Sequence, residues 1–306
     1  MTKFIIQTGI ALLLALNCHA SLAESNHKLS KKVEEAKPTL VKKRIEQEMA
    51  AYENTFAMIP HKTNYILPLS YNSNPNIAPF ANTNRNLMNA EVKFQLSFKV
   101  PVIEDTIFSD NGYLFFGYTS RSVWQAFNTD ESSPFRDTNH EPEIMLTFLH
   151  DFEVMGAQVP MTTIGFSHQS NGQSGQLSRS WNRLYAEAIL EYEEFYLSFK
   201  PWWRIPEREK RDAFDVTGDD NPDIDDFMGY FELRALRKIN DNELSIMLRN
   251  NLRSDNKGAI EINYSYPFSK KVRGYVQIFS GYGETLLDYN HRNSRFGIGF
   301  MLSNWL

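Results

Sequence analysis

Between Glu91 and Val100 the chain alternates without a break. Val92, Phe94, Leu96, Phe98 and Val100 fall on one face of an extended strand, and Glu91, Lys93, Gln95, Ser97 and Lys99 on the other. A strand whose faces differ this sharply must meet an apolar medium on one side and a polar one on the other. The device recurs with Ile260, Ile262 and Tyr264 against Glu261, Asn263 and Ser265, and with Phe296, Ile298, Phe300 and Leu302 against Arg295, Gly297, Gly299 and Met301. Such runs predict twelve strands, at about 64–71, 91–101, 113–124, 141–150, 159–170, 182–190, 195–203, 229–238, 243–250, 258–266, 272–280 and 295–304. An even number lets a single-chain barrel close with both termini on one side.

The links between runs support this topology independently. Odd-numbered links such as 72–90, 125–140 and 204–228 are long and polar, whereas even-numbered links such as 191–194 and 239–242 are short. Long loops outside and short turns in the periplasm mark outer-membrane barrels. Trp124, Trp181, Trp202 and Trp203 fall at the outer strand ends, where an interfacial aromatic girdle is expected. The expected fold is therefore all-β, a twelve-stranded antiparallel transmembrane β-barrel with periplasmic termini. A soluble β-sandwich or lipocalin-like barrel is the alternative, and it would turn its apolar faces inward and keep a polar exterior.

Ahead of the first strand lie Lys3, an apolar stretch from Phe4 to Leu16, and Ser21-Leu22-Ala23 as a cleavage site before Glu24. Residues 1–23 read as a secretory signal peptide, its apolar run being too short to span a bilayer as a helix. Residues 24–60 read as a periplasmic N-terminal arm, charged and mobile over 24–50, and 61–306 as the barrel. Cys18 is the only cysteine, so the processed chain has no disulfide. A net charge of −5 opposes nucleic acid as a partner, since phosphate binding needs a basic surface.

One apolar row ends in chemistry. Ile164 and Phe166 share strand parity with His168 and Ser170, which places a candidate base and a candidate nucleophile side by side. On the next strand Asn182 shares parity with Leu184, Ala186, Ala188 and Leu190. If the apolar rows face lipid, all three polar residues lie on the outer wall toward the cell surface. A serine hydroxyl needs a base to take its proton, and a neutral imidazole needs a partner to hold its tautomer. Asn182 can orient the ring through its amide oxygen, and an uncharged partner suits a site bordered by lipid. Taken alone, His-x-Ser with a nearby Asn is a weak pattern, for which a polar pair in the interfacial girdle is the plainer explanation.

His168-Gln-Ser-Asn-Gly172 followed by Ser178-Arg-Ser-Trp-Asn-Arg183 resembles the active-site region of the outer membrane phospholipase A family. Further matching segments are Glu131-Ser-Ser-Pro-Phe-Arg136, Asp219-Asp-Asn-Pro-Asp-Ile224, Met228-Gly-Tyr230 and Ser280-Gly-Tyr-Gly-Glu284, and the likeness runs from about residue 55 to the C-terminus. The resemblance implies a barrel that hydrolyses acyl esters of phospholipids and lysophospholipids, as a phospholipase A1/A2. Ser170 would be the nucleophile, His168 the base and Asn182 the orienting residue. It also implies calcium dependence in a reversible homodimer, with calcium held by the Ser178 hydroxyl, the Gln173 carbonyl and Ser132 of the partner subunit. The chain departs from the family pattern at Gly175, where an acidic residue can join a calcium site of the monomer. It departs again at Ser120, where a glutamine can bridge the dimer.

The loop 171–181 contains no carboxylate, so a calcium site there is expected to use neutral oxygens and to bind weakly. The acidic stretch 215–226 lacks EF-hand spacing and reads as a solvated external loop, and His140, His150 and His291 read as ordinary surface residues. The rival to a lipid esterase is a non-enzymatic barrel, a pore or an adhesin, whose working residues would face the lumen or crowd the external loops.

Overall fold

The structure, a computed structural model, describes residues 40–306 apart from 53, 55–56, 84, 104–106, 108–110, 213–214, 216 and 270–271. The expected signal peptide, 1–23, and residues 24–39 of the expected arm lie outside the described residues. Twelve antiparallel strands form the barrel: β1 Asn64–Asn72, β2 Ala90–Pro101, β3 Gly112–Trp124, β4 Phe135–Val154, β5 Ala157–Ser170, β6 Ser180–Tyr192, β7 Phe195–Ile205, β8 Phe231–Ile239, β9 Asn242–Asn250, β10 Gly258–Pro267, β11 Arg273–Tyr282 and β12 Arg292–Ser303. Each pairs with its neighbour in sequence, and β12 returns to β1, so no edge is left open. Every expected strand is present. The largest difference is β4, which runs from 135 to 154 because polar residues before its apolar row continue the ladder on β3 and residues 152–154 continue it on β5.

Parity falls as the alternation requires. In β2 Lys93, Gln95, Ser97 and Lys99 are buried in the lumen, while Leu96 is 53% exposed on the outer wall. Leu69, Ile144, Ile164, Leu184, Ile278, Phe296 and Ile298 continue that apolar exterior around the barrel. No helix among the described residues is long and apolar enough to cross a membrane, and the strands make the crossing. Leu96→Arg should therefore destabilise the inserted barrel by ~2–4 kcal/mol, whereas Leu302→Arg, near the end of β12, should cost ~0–1 kcal/mol. Urea unfolding midpoints in lipid vesicles will separate the two, and equal midpoints would contradict the assigned membrane depth.

Tight hairpins close the strands at one end. Met155-Gly156 joins β4 to β5 and Asn240-Asp241 joins β8 to β9, with positive φ at Met155, Gly156 and Asn240. At this end the arm departs from expectation. Residues 40–52 are no loose segment; they form α1 (Leu40–Tyr52), built of good helix formers. Val41, Glu48 and Ala51 lie along one face and are buried. Val41 packs with Met161, Ile189, Tyr196, Leu236 and Trp305, and Glu48 pairs with Lys99 inside the lumen. Glu48 thus answers a charge on the barrel wall rather than water, while Lys43 and Glu46 stay exposed.

The lumen is filled by side chains. Buried polar networks occupy its centre, around a polar cavity of about 90 Å³ bordered by Lys62, Arg121, Glu141, Arg183, Glu187 and Arg234. Toward the other end, Trp181, Tyr185 and Trp202 pack with Ile224 and Met228 of the short helix α2 (Ile224–Met228) and with Leu286. Trp181 and Trp202 therefore belong to the interior and not to the expected girdle, while Trp203 is exposed on the outer wall. Trp181 and Asn182 are adjacent in an extended strand, so if Asn182 points out its neighbour must point in.

Candidate active site

Residues His168 and Ser170 end β5, and Asn182 lies near the start of β6. The ladder places His168 opposite Asn182 and Ser170 opposite Ser180. Below them on the same face Ile164, Phe166 and Leu184 are exposed, so an apolar wall leads up to the polar group. His168 Nδ1 and Asn182 Oδ1 are 2.8 Å apart, a hydrogen bond with the ring nitrogen as donor. Among the described residues no hydrogen bond joins His168 to Ser170.

The reverse faces of the same strands hold this wall in place. Ser167 and Arg183, next to His168 and Asn182 in sequence, point inward and meet the same atom, Glu141 Oε1, at 3.0 and 2.7 Å. The Arg183 guanidinium lies over the Trp181 ring, 4.1 Å from its centroid. Lys62 Nζ reaches the other Glu141 oxygen at 2.7 Å. Gly165 faces Tyr185, and a Cβ there would come within 2.4 Å of the ring, so the close strand approach needs glycine. The outward residues are thus positioned by buried partners on rigid strands.

The external loop 171–179 is closed by Asn171. Its amide Nδ2 donates to the Leu177 carbonyl at 2.8 Å, and its Oδ1 accepts from the Arg179 N–H at 2.9 Å. Gly172 has φ +63°, a left-handed turn that favours glycine. A second loop packs on the first, since Ser178 Oγ and Ser180 Oγ donate to Asp220 Oδ2 at 2.9 and 3.1 Å. Asp220 also pairs with Lys210, Asp219 with Arg204, and buried Asn221 accepts from the Ser180 N–H at 3.1 Å. The solvated reading of 215–226 fits the exposed pair of Asp215 with Arg208 but fails for 219–221, which brace the loop beside the site. The carboxylate missing from loop 171–181 is supplied by Asp220, across the fold.

Residues 41–302 match the phospholipase A1 family. This chain belongs to that family. A putative phospholipase A1 of Neisseria meningitidis is 41% identical over 257 residues, which are 80% of this chain and 65% of that protein. The phospholipase A1 of Escherichia coli is 38% identical over 83% of this chain and 84% of its own length. Among solved structures, outer membrane phospholipase A from Escherichia coli superposes with a TM-score of 0.76 at 38% identity, covering 82% of this chain and all of that one. A calcium-bound dimer of the Salmonella typhi enzyme gives 0.77 at 37% identity, covering 85% and 98%. Together with the closed barrel, these family relatives make the chain an integral outer-membrane protein.

Within this phospholipase A1 family member, His168, Ser170 and Asn182 share one outer-wall cluster, with Ser178 at the end of the adjoining loop. Gln173 is exposed in that loop, and Ser132 is exposed at the end of a short turn (Thr129–Glu131), in left-handed backbone with φ 59°. His140, read as an ordinary surface residue, stands opposite Ser170 on β4 and shares a 2.6 Å hydrogen bond with the Tyr118 hydroxyl. Period-two parity carried a signal for His140. Asn171, Asp220 and Glu207, which accepts from Asn182, had none, because loop contacts leave no periodic trace.

Proposed function

We propose that this chain hydrolyses acyl ester bonds of phospholipids and lysophospholipids at the outer leaflet, as a calcium-dependent phospholipase A1/A2 acting through Ser170, His168 and Asn182 in a reversible homodimer. The observation that carries this reading is the His168–Asn182 hydrogen bond on an apolar outer wall, beside Ser170. Relatives named phospholipase A1 support the substrate class, and an Asn-to-Ala active-site mutant of the Escherichia coli enzyme supports an asparagine at such a site in that protein.

In this reading His168 Nε2 removes the Ser170 proton as Oγ attacks the ester carbonyl, and Asn182 holds the ring with Nε2 turned to the serine. His168 then gives the proton to the departing glycerol oxygen. Water deacylates Ser170 by the same route in reverse, releasing the fatty acid. The acyl chain lies along Ile164, Phe166 and Leu184, so an ester in the bilayer reaches the site without leaving its apolar surroundings. The Ser170 backbone N–H is the protein's own donor to the oxyanion.

The residues present suit calcium. No group of three or more His, Cys, Asp or Glu side chains is placed to hold a metal among the described residues. A hard cation would therefore take hydroxyl and carbonyl oxygens at the exposed loop: Ser178 Oγ, the Gln173 carbonyl and Ser132 of the partner subunit. Asp220, 2.9 Å from Ser178 Oγ, stands beside them with its charge shared by Lys210. When bound, calcium supplies electrophilic stabilisation of the oxyanion. A packed lumen opposes the pore as a second reading.

The test is fatty-acid release from phospholipid in mixed micelles, measured with calcium and with chelator. Ser132→Ala should raise the calcium concentration for half-maximal activity. Mixing Ser132→Ala with Ser170→Ala subunits should restore activity, because the heterodimer contains one whole site: Ser170 of the first chain with Ser132 of the second. An unchanged calcium requirement, or no gain on mixing under subunit exchange, would remove Ser132 from the site.

A further inference from the structure

On its far side from the histidine, Asn182 is itself held. Its Nδ2 donates to Glu207 Oε1 at 2.8 Å. Asn182 pairs with Ile205 at the end of β7, and Glu207, two residues further on, keeps the parity of Trp203 and Ile205 and returns over the amide. Resting on the triad reading above, we infer that Glu207 is a positioning residue for hydrolysis, the fourth member of a chain that runs Ser170, His168, Asn182, Glu207.

The argument is one of donors and acceptors. An asparagine amide has two ends of nearly the same shape, and beside an imidazole it can present either. A carboxylate only accepts, so Glu207 fixes Nδ2 toward itself and Oδ1 toward the ring. With Oδ1 as acceptor, His168 Nδ1 must carry the proton, leaving Nε2 unprotonated to receive one from Ser170. The flipped amide would present N–H to Nδ1 and favour the tautomer that cannot act as base. The carboxylate also polarises the amide, which makes Oδ1 a stronger acceptor. A serine triad with aspartate obtains both effects by direct contact with the ring. Here one neutral amide stands between charge and imidazole, so the negative charge stays at the external loop and off the lipid-bordered wall.

The experiment compares Glu207→Ala, Glu207→Gln, Asn182→Ala and the Asn182→Ala/Glu207→Ala double variant of the full chain, each first checked for heat-modifiable folding. Glu207→Ala should lower kcat about tenfold, a fraction of the roughly 10²–10⁴-fold that a positioned base supplies. KM should stay within about twofold and the calcium requirement should not move. Glu207→Gln should recover only part of the loss, because its amide oxygen can accept Nδ2–H but its other end can also donate, and it carries no charge to polarise the Asn182 amide. The double variant should be no slower than Asn182→Ala alone, since Glu207 acts only through that amide. Multiplying losses in the double variant, or a shift in calcium half-saturation with kcat unchanged, would overturn the inference. Full activity in Glu207→Ala alongside a slow Asn182→Ala would sink Glu207 and leave the triad standing. Full activity in Asn182→Ala would remove the triad reading itself, and the inference with it.

Discussion

Ser170→Ala is expected to reduce phospholipid hydrolysis by roughly 10⁴-fold or more while leaving the barrel intact. The loss is chemical: Ser170 stands two residues from His168 on the same face, and the hydroxyl opposite it in the ladder, that of Ser180, already donates to Asp220. The structural effect should be small. Ser170 is half-buried at a strand end, and its side chain makes no hydrogen bond among the described residues, so its removal leaves no partner stranded. Titration of released fatty acid gives the first quantity and heat-modifiable gel migration the second. Residual hydrolysis well above trace in a folded variant would assign the nucleophile elsewhere.

Arg136→Met should have the largest effect on stability, a loss of ~3–5 kcal/mol. Arg136 is fully buried on β4 and donates to Glu91 Oε1 at 2.8 Å and to both Asp288 oxygens at 2.9 and 2.8 Å. Glu91 also accepts from Arg295, and Asp288 from Asn293 and Thr285, so one guanidinium ties β2, β4 and the loop after β11 to the start of β12. Without it, one positive charge is missing from a site that buries three carboxylates, those of Glu91, Asp288 and Glu284. Methionine fills the volume but cannot replace the charge. Arg136→Lys should recover little, because a single ammonium cannot reproduce the planar guanidinium's placement of Nε on Glu91 and Nη1 on Asp288 at once. The urea midpoint in vesicles measures both variants, and a midpoint unmoved by Arg136→Met would show the network to be dispensable.

The twelve strands, their direction and the faces they present were legible in the chain because period-two alternation is a local property. Each residue from Val92 to Val100 reports its own side of the sheet, and a lipid exterior makes the contrast unusually sharp. The same parity placed His168, Ser170 and Asn182 on one wall, and the structure brings His168 and Asn182 into contact there. It also implied an inward Trp181, which the expectation of an aromatic girdle overrode.

Other features depended on the closed barrel. Residues 40–52 carry the composition of a solvated arm, yet Glu48 meets Lys99 inside the lumen; only a closed wall creates the low-dielectric space in which that pairing replaces water. Asp220 and Glu207 lie in an external loop with no period and reach Ser178 and Asn182 from 42 and 25 residues away. What the sequence alone determined was everything set by one strand's alternation: the fold, the membrane-facing wall and the line of the three polar residues. The tertiary structure decided which loop charges stand behind them, because those contacts join segments that no periodicity links and that meet only when the strands between them close into a ring.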